Sequence, residues 1–239
     1  MLKVSVIGTG NVGTHLCVAL SDKVDELVSV NSHTLEDLPL DSDIYILSVS
    51  DRAISDVAAR MPAVRGIVAH TSGSIPMDVL TPYTDRAGVF YPLQTFTKWS
   101  DLDYARIPIF VEGSSESVSE KLMALGSLFS DRLYIADSAL RKKLHIASVL
   151  ACNYVNHLWT KADELLHDEG LSIDILMPLI DAAVDKLHRM PPAEAQTGPA
   201  SRGDTIVLEE HLRMLEGSPM HEIYKLLANS IINNRDRSL

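Results

Sequence analysis

Up to residue 136 the chain alternates short runs of β-branched and other apolar residues with polar or helix-forming stretches. The runs are LKVSVIG, LVSVN, IYILSVS, GIVAHTS, GVFYP, IPIFVEG and RLYIAD. Near-continuous apolar runs separated by crossover segments are the pattern of strands buried on both faces of a parallel sheet. From Asp137 the period changes. Leu140, Leu144, Ala147, Ala151, Val155 and Leu158 recur at three- and four-residue steps, the spacing of a buried helix face. Similar patterns cover 173–190 and 204–232, separated by MPPAEAQTGPAS. The expected architecture is an α/β domain over residues 1–136 followed by an all-α domain over 137–239.

The first strand runs into VIGTGNVGTHL, which sets Gly8, Gly10 and Gly13 at G-x-G-x-x-G spacing at the head of a helix. In that context Gly8 permits a tight turn, Gly10 lets the backbone approach a pyrophosphate, and Gly13 lets helix and sheet pack closely. Thr9, Asn11 and Val12 complete the loop, and the helix-start N–H groups face an anion. The α/β domain therefore reads as a Rossmann dinucleotide-binding domain. In NAD sites an acid about 20 residues on grips the ribose 2′-hydroxyl. This chain has Asn31, Ser32 and His33 at the end of its second strand, with no carboxylate to repel a 2′-phosphate. The expected cofactor is NADP, with Ser32 as hydrogen-bond donor and His33 as an available cation; NAD is the second choice. The Arg that commonly faces the phosphate is missing, and Asn31 and Ser32 serve equally well as a plain turn. The segment to the next strand is short and interrupted by Pro39, leaving no room for a full crossover helix.

Two more strand tips carry hydroxyl groups. LSVSD presents Ser48, Val49 and Ser50, assigned to the cofactor, and HTSGS presents Thr71, Ser72, Gly73 and Ser74 after His70, assigned to the substrate. Helix capping explains Ser50 or Asp51 ahead of Arg52, and Ser74 ahead of Pro76, equally well. In GVFYPLQTFTK, Tyr91, Gln94 and Thr95 bring more polar groups than a turn needs and are placed beside the substrate. On the helix after the boundary, Ser138, Lys142, His145, Cys152, Asn153, Asn156 and Thr160 fall in a sector roughly 120° wide at about 100° per residue. Short uncharged polar groups on a mostly buried helix are costly unless partnered, so they bond one another or line a cavity; the cavity is the favoured reading.

Charge and cysteine content narrow the partners. The 239 residues carry 21 Lys and Arg against 32 Asp and Glu, a net charge of -11, with no basic stripe; nucleic acid is not an expected partner. No apolar run approaches the ~20 residues of a membrane span, and no charged-then-apolar leader opens the chain. Cys17 and Cys152 are too few for a disulfide framework and lack metal-ligand spacing, which fits a reducing, cytoplasmic setting and no metal site.

GTGNVGTHL, AHTSGSIPMDVL, GVFYPLQTFTK, RKKLHIASVLACNYVNHLW and AQTGPASRGD together resemble the bacterial family of Rossmann-like NADP oxidoreductases with a helical C-terminal domain of formerly unknown function. That family is similar in architecture to pyrroline-5-carboxylate reductases and β-hydroxyacid dehydrogenases. The resemblance implies a fold, a reaction class and a homodimer through the C-terminal helices, and no particular substrate. One departure stands out. β-Hydroxyacid dehydrogenases place a catalytic Lys and Asn four residues apart on this helix, whereas Ile146 and Ala147 lie four beyond Lys142 and Lys143. His145 and Asn153, two turns apart, are the replacement: His145 to exchange a proton, Asn153 to hold a carbonyl or imine, with Lys142 as reserve acid. Asn156, Gln196, Thr197, Gly198 and Arg202 are placed on the substrate side, Arg202 as a two-pronged donor to a carboxylate. Gly198 and Pro199 are expected to end a helix, and Asp204 with Thr205 to cap the next. The plainer reading of this loop is a helix–helix turn with a surface Arg202–Asp204 ion pair.

The expected activity is hydride transfer to or from a small carbonyl, imine or hydroxyacid substrate carrying a carboxylate. Two alternatives stand beside it. An NADP-binding sensor or scaffold without turnover is supported by the missing Lys-Asn pair. An S-adenosylmethionine-dependent methyltransferase also uses a glycine loop, but would be expected to carry an acid where Asn31-Ser32-His33 stands.

Overall fold

All seven apolar runs pair into one sheet: β1 (Lys3–Ile7), β2 (Glu26–Val30), β3 (Ile44–Leu47), β4 (Ile67–His70), β5 (Ala87–Pro92), β6 (Ile109–Gly113) and β7 (Leu133–Ile135). The computed structural model describes residues 1–237, and the strand order is β2-β1-β3-β4-β5-β6-β7. β1 to β5 are parallel, as expected for a Rossmann sheet. The parallel expectation fails at β6, which is antiparallel to β5, with β7 parallel to β6. Between β5 and β6 stands a single 3₁₀ turn, Tyr104–Arg106, and a connection without a crossover helix returns the chain in the opposite direction. The link from β2 to β3 also lacks a helix; the Tyr45 hydroxyl braces it, donating to Pro39 O at 2.8 Å and accepting from Ser42 N at 3.1 Å.

Both sheet faces are covered, which is why the strands read as continuous apolar runs. On one face Val4, Val6, Ile46, Ala69, Phe90 and Val111 meet Leu16 and Leu20 of α1 (Asn11–Leu20) and Leu122 and Leu125 of α3 (Glu116–Ser127). On the other, Ile7, Val30, Tyr45, Leu47 and Val68 meet Ile54 and Val57 of α2 (Ile54–Arg60).

Because β6 and β7 run backwards, α4 (Ser138–Ser148) starts from the edge opposite the glycine loop and climbs back along the sheet. Its inward residues are spent in sequence. The Ser138 hydroxyl donates to Glu112 Oε2 at 2.8 Å. Arg141, 0% exposed, pairs with Glu112 and donates to Ser72 O at 3.1 Å and Ile75 O at 2.6 Å. His145 then reaches Tyr91. These bonds tie α4 to the sheet. The chain divides into compact units between Tyr154 and Val155, later than the change of period near residue 136.

Between α4 and α5 (Tyr154–His167) lies a π-helical turn, Val149–Asn153, in which Tyr154 N–H bonds Val149 O. A π turn carries one residue more than an α turn. The polar stripe projected at a uniform period is therefore broken: Ser138, Lys142 and His145 precede the turn, and Asn156 and Thr160 follow it out of phase. The second unit continues with α6 (Met177–Leu187), α7 (Pro192–Ala195), α8 (Pro199–Arg202), α9 (Thr205–Met214) and α10 (Met220–Arg237). Ala200, Leu208 and Ala228 form its small core with Tyr224, Ile231 and Ile232. The helical pattern over 204–232 is interrupted at Gly217, whose φ is 80°. The apolar face expected to be buried is largely open: Leu140, Ala147 and Ala151 are exposed, as are Trp159, Leu165, Leu179 and Leu187. Among the described residues no helix is long and apolar enough to cross a membrane.

Candidate functional site

The glycine loop separates into two packed positions and one open one. Gly8 has φ 112° and donates its N–H to Val30 O at 2.9 Å. A Cβ there would lie 2.3 Å from Ser48 O, and one at Gly13 would lie 2.1 Å from Gly8 O and 3.3 Å from Ser48 Oγ. Ser48 and Val49 at the β3 tip thus fit against the loop only because Gly8 and Gly13 have no side chains. At Gly10 a Cβ would meet nothing within 4 Å. Gly10 precedes the first turn of α1, which has no capping side chain and no acidic residue, while Thr9 and Asn11 are exposed and Val12 packs inward. Unsatisfied N–H groups beside open space suit an anionic diphosphate.

Asn11 also braces a neighbouring loop, its amide donating to Phe96 O at 2.9 Å. One turn on, His15, 4% exposed, donates from Nε2 to Thr97 O at 2.7 Å and accepts at Nδ1 from the Tyr104 hydroxyl at 2.8 Å. Together they pin the loop after β5 to α1. His15 escaped sequence reasoning; its spacing of four from Asn11 was the available signal.

At the β2 tip, Asn31 Oδ1 accepts from His33 N at 2.9 Å, so its side chain closes the turn. The guanidinium that the tip sequence lacks arrives from another element. Arg60, the last residue of α2, donates to Ser32 O at 2.8 Å, His33 O at 3.0 Å and Asp56 Oδ2 at 3.1 Å.

The expected serine caps are absent. Ser50 makes no side-chain cap to the 3₁₀ turn Asp51–Ala53. Ser72 Oγ, rather than Ser74, organises the turn after β4, accepting from Ser74 N and Ile75 N at 3.0 Å each, because it lies inside the turn. His70 is wholly buried and accepts at Nδ1 from Ser72 N at 3.1 Å. Burial, then the Arg141 charge, pushes its pKa down to about 4, so the ring is neutral. Thr71 and Ser74 are half-buried beside it. Gln94 and Thr95 are exposed and bond each other, Gln94 Oε1 accepting from Thr95 N at 2.7 Å.

Tyr91 and His145 form a titratable pair at this edge, hydroxyl to Nδ1 at 3.2 Å and ring edge to ring face. Gly73 packs on both: a Cβ there would lie 2.7 Å from Tyr91 Cζ and 2.8 Å from His145 Nδ1. Burial pushes the Tyr91 hydroxyl above its usual pKa, opposed by the Ser148 hydroxyl and the Arg141 charge. The phenol therefore stays protonated, with the His145 ring beside it. Arg141, which holds Ser72 and Ile75 under this pair, was hidden in the run RKK; its spacing of three from Ser138 and four from His145 was the signal.

The structure thus brings together the glycine loop, Ser48 and Val49 and, as a second group, Gly73, Tyr91 and His145, all in the first unit. Lys142 is exposed, as is Asn153 in the π turn. Asn156, Gln196, Thr197, Gly198 and Arg202 belong to the second unit. There Gln196 Nε2 donates to Thr197 O at 3.0 Å. Gly198, with φ 107°, and Pro199 begin α8 instead of ending a helix, since α7 stops at Ala195 and Pro fits a first helical turn. Gly203 (φ 72°) closes α8, and Asp204 Oδ1 caps α9 from Val207 N at 3.3 Å, as expected. With Asp204 so occupied, Arg202 is exposed and the Arg202–Asp204 pair is not among the ion pairs of the described residues. Among those residues no group of His, Cys, Asp and Glu could hold a metal ion.

Residues 107–231 match the family described as a domain of unknown function, DUF2520. None of the curated proteins matches. Among solved structures, a provisionally named NADP oxidoreductase from Bacteroides fragilis is 37% identical, over 97% of this chain and 98% of its own, with a TM-score of 0.89. The reductive aminase from Aspergillus terreus, in complex with NADPH and ethyl levulinate, is 16% identical over 100% and 94%, with a TM-score of 0.70. A pyrroline-5-carboxylate reductase from Coxiella burnetii is 12% identical over 99% and 98%, with a TM-score of 0.52. The last two share the fold.

Proposed function

This chain belongs to the DUF2520 family, and from that membership, its Rossmann domain followed by a helical domain, and its site we propose that it is an NADP-dependent oxidoreductase acting on a small carbonyl, imine or hydroxyacid. One observation carries the reading: the Tyr91–His145 proton pair stands at the same sheet edge as the open glycine turn. NADPH, when bound, supplies the hydride. Gly10 and Thr9 leave room for its diphosphate, the first N–H groups of α1 hold it, and Ser48, Val49 and Ser50 flank it, with Ser32 and His33 at the adenosine end. Tyr91 and His145 hold the proton that accompanies hydride transfer. Asn153 orients the carbonyl or imine, Thr71, Gly73, Ser74, Gln94 and Thr95 shape its surroundings, and Lys142 is the reserve acid. The exposed Trp159, Leu165, Leu179 and Leu187 support a homodimer through the C-terminal helices.

Calorimetry is expected to show NADPH binding several-fold tighter than NADH. Equal or reversed dissociation constants would overturn the choice of cofactor, and no binding of either would overturn the oxidoreductase reading. The missing Lys-Asn pair favours a second reading, an NADP sensor; tight NADPH binding with no oxidation across a panel of keto and imino acids would select it.

Arg202, with Asn156, Gln196, Thr197 and Gly198, is assigned to the substrate carboxylate. Arg202→Ala is expected to raise KM for acidic substrates at least about tenfold, the scale of a charged hydrogen bond. Tm should move by no more than about 2 °C, as for an exposed side chain. Unchanged KM with a large fall in Tm would make the loop a structural turn.

A further inference from the structure

We propose that Arg60 is the cation that recognises a ribose 2′-phosphate at the β2 tip, an assignment that rests on the NADP reading. The tip Asn31-Ser32-His33 carries no Arg or Lys of its own. Sheet order supplies one. β3 lies beside β1 and β1 beside β2, so α2, which follows β3, ends on the face where Val30 and Leu38 pack. The β2-to-β3 link has no helix to stand between them. Arg60 therefore reaches the tip, donating one Nη1 hydrogen to His33 O and one Nη2 hydrogen to Ser32 O.

The guanidinium is braced but not used up. It has five N–H donors; Nε goes to Asp56 and two go to the tip carbonyls, which leaves one hydrogen on each Nη, and its side chain is 38% exposed. Two further donors on a permanently charged group can serve the oxygens of a phosphomonoester. The carbonyl bonds fix the plane before any ligand arrives, so little ordering entropy is lost on binding. Asp56, 69% exposed, cancels part of the charge. That counter-charge weakens the pull of Arg60 on an anion without occupying its two remaining donors.

The test compares binding of adenosine 2′,5′-bisphosphate and adenosine 5′-monophosphate by calorimetry, which needs no substrate. The wild type should prefer the bisphosphate. Arg60→Ala should remove at least about tenfold of that preference while leaving monophosphate affinity nearly unchanged, and Arg60→Lys should fall between. Asp56→Asn, which frees the cation without removing it, should increase the preference; it also serves if Arg60→Ala fails to fold. An equal loss for both ligands in Arg60→Ala, or an unchanged or lower preference in Asp56→Asn, would make Arg60 only a brace of the turn and overturn the assignment while NADP binding stands. Failure of the wild type to bind either ligand would remove the cofactor reading, and Arg60's role with it.

Discussion

Tyr91→Phe and His145→Ala are each expected to lower kcat by about 100-fold or more, the scale of a lost general acid or base. NADPH affinity should stay within about twofold, because neither residue lies in the glycine loop. The phenylalanine keeps the ring against Phe110 and Gly73, so the hydroxyl alone is removed. That hydroxyl is held protonated by its burial, and His145 Nδ1 is its neighbour at 3.2 Å. If the two act as a unit, the double variant should be no slower than the worse single one, since residues of one proton pathway are not additive. Steady-state NADPH oxidation on a responsive substrate measures all three. Full activity in either single variant would return the pair to a packing role.

Arg141→Met is expected to cost about 3–5 kcal/mol in chemical denaturation, the range for breaking a buried ion pair from one side. The methionine fills much of the volume but leaves the Glu112 carboxylate, 17% exposed, without its cation, and Ser72 O and Ile75 O without their donor. Adding Glu112→Gln should recover part of the loss, because the uncompensated charge goes with it. Unchanged stability in Arg141→Met, or no recovery in the double variant, would refute this account. The same substitution has a pH signature. His70 is depressed from 6.5 to about 4 by burial and by Arg141, so its unfolded form takes up the proton first. Its stabilising contribution is complete above 6.5 and is lost as pH falls toward 4. Without Arg141 the His70 pKa should rise and that acid loss should shrink.

What could be seen in the sequence follows from what each feature needs nearby. The strands were legible because burial on two faces writes a continuous apolar run, and the glycine loop because Gly8 and Gly13 answer a local clash with Ser48 and with the loop itself. The reversal at β6 was not, since an apolar run carries no direction. Arg141 stands next to two exposed lysines, Lys142 and Lys143, and composition does not set it apart from them, although it is wholly buried. Arg60 lies 27 residues from His33, and only the sheet order brings them together. The helix face at Leu140, Ala147 and Ala151 was legible as apolar, but periodicity marks a face without naming what covers it.

At the π turn the number of residues matters as well as their identity. A substitution at Asn153 alters one side chain. Removing a single residue between Val149 and Asn153 would return the five-residue hydrogen bond at Tyr154 to an ordinary helical one. The extra residue takes up about 100° of rotation within the turn itself, so the downstream side chains would keep their facing. A one-residue difference in length is therefore absorbed by the turn itself, and aligning a relative without the turn to this chain with no gap here would equate positions that point in different directions.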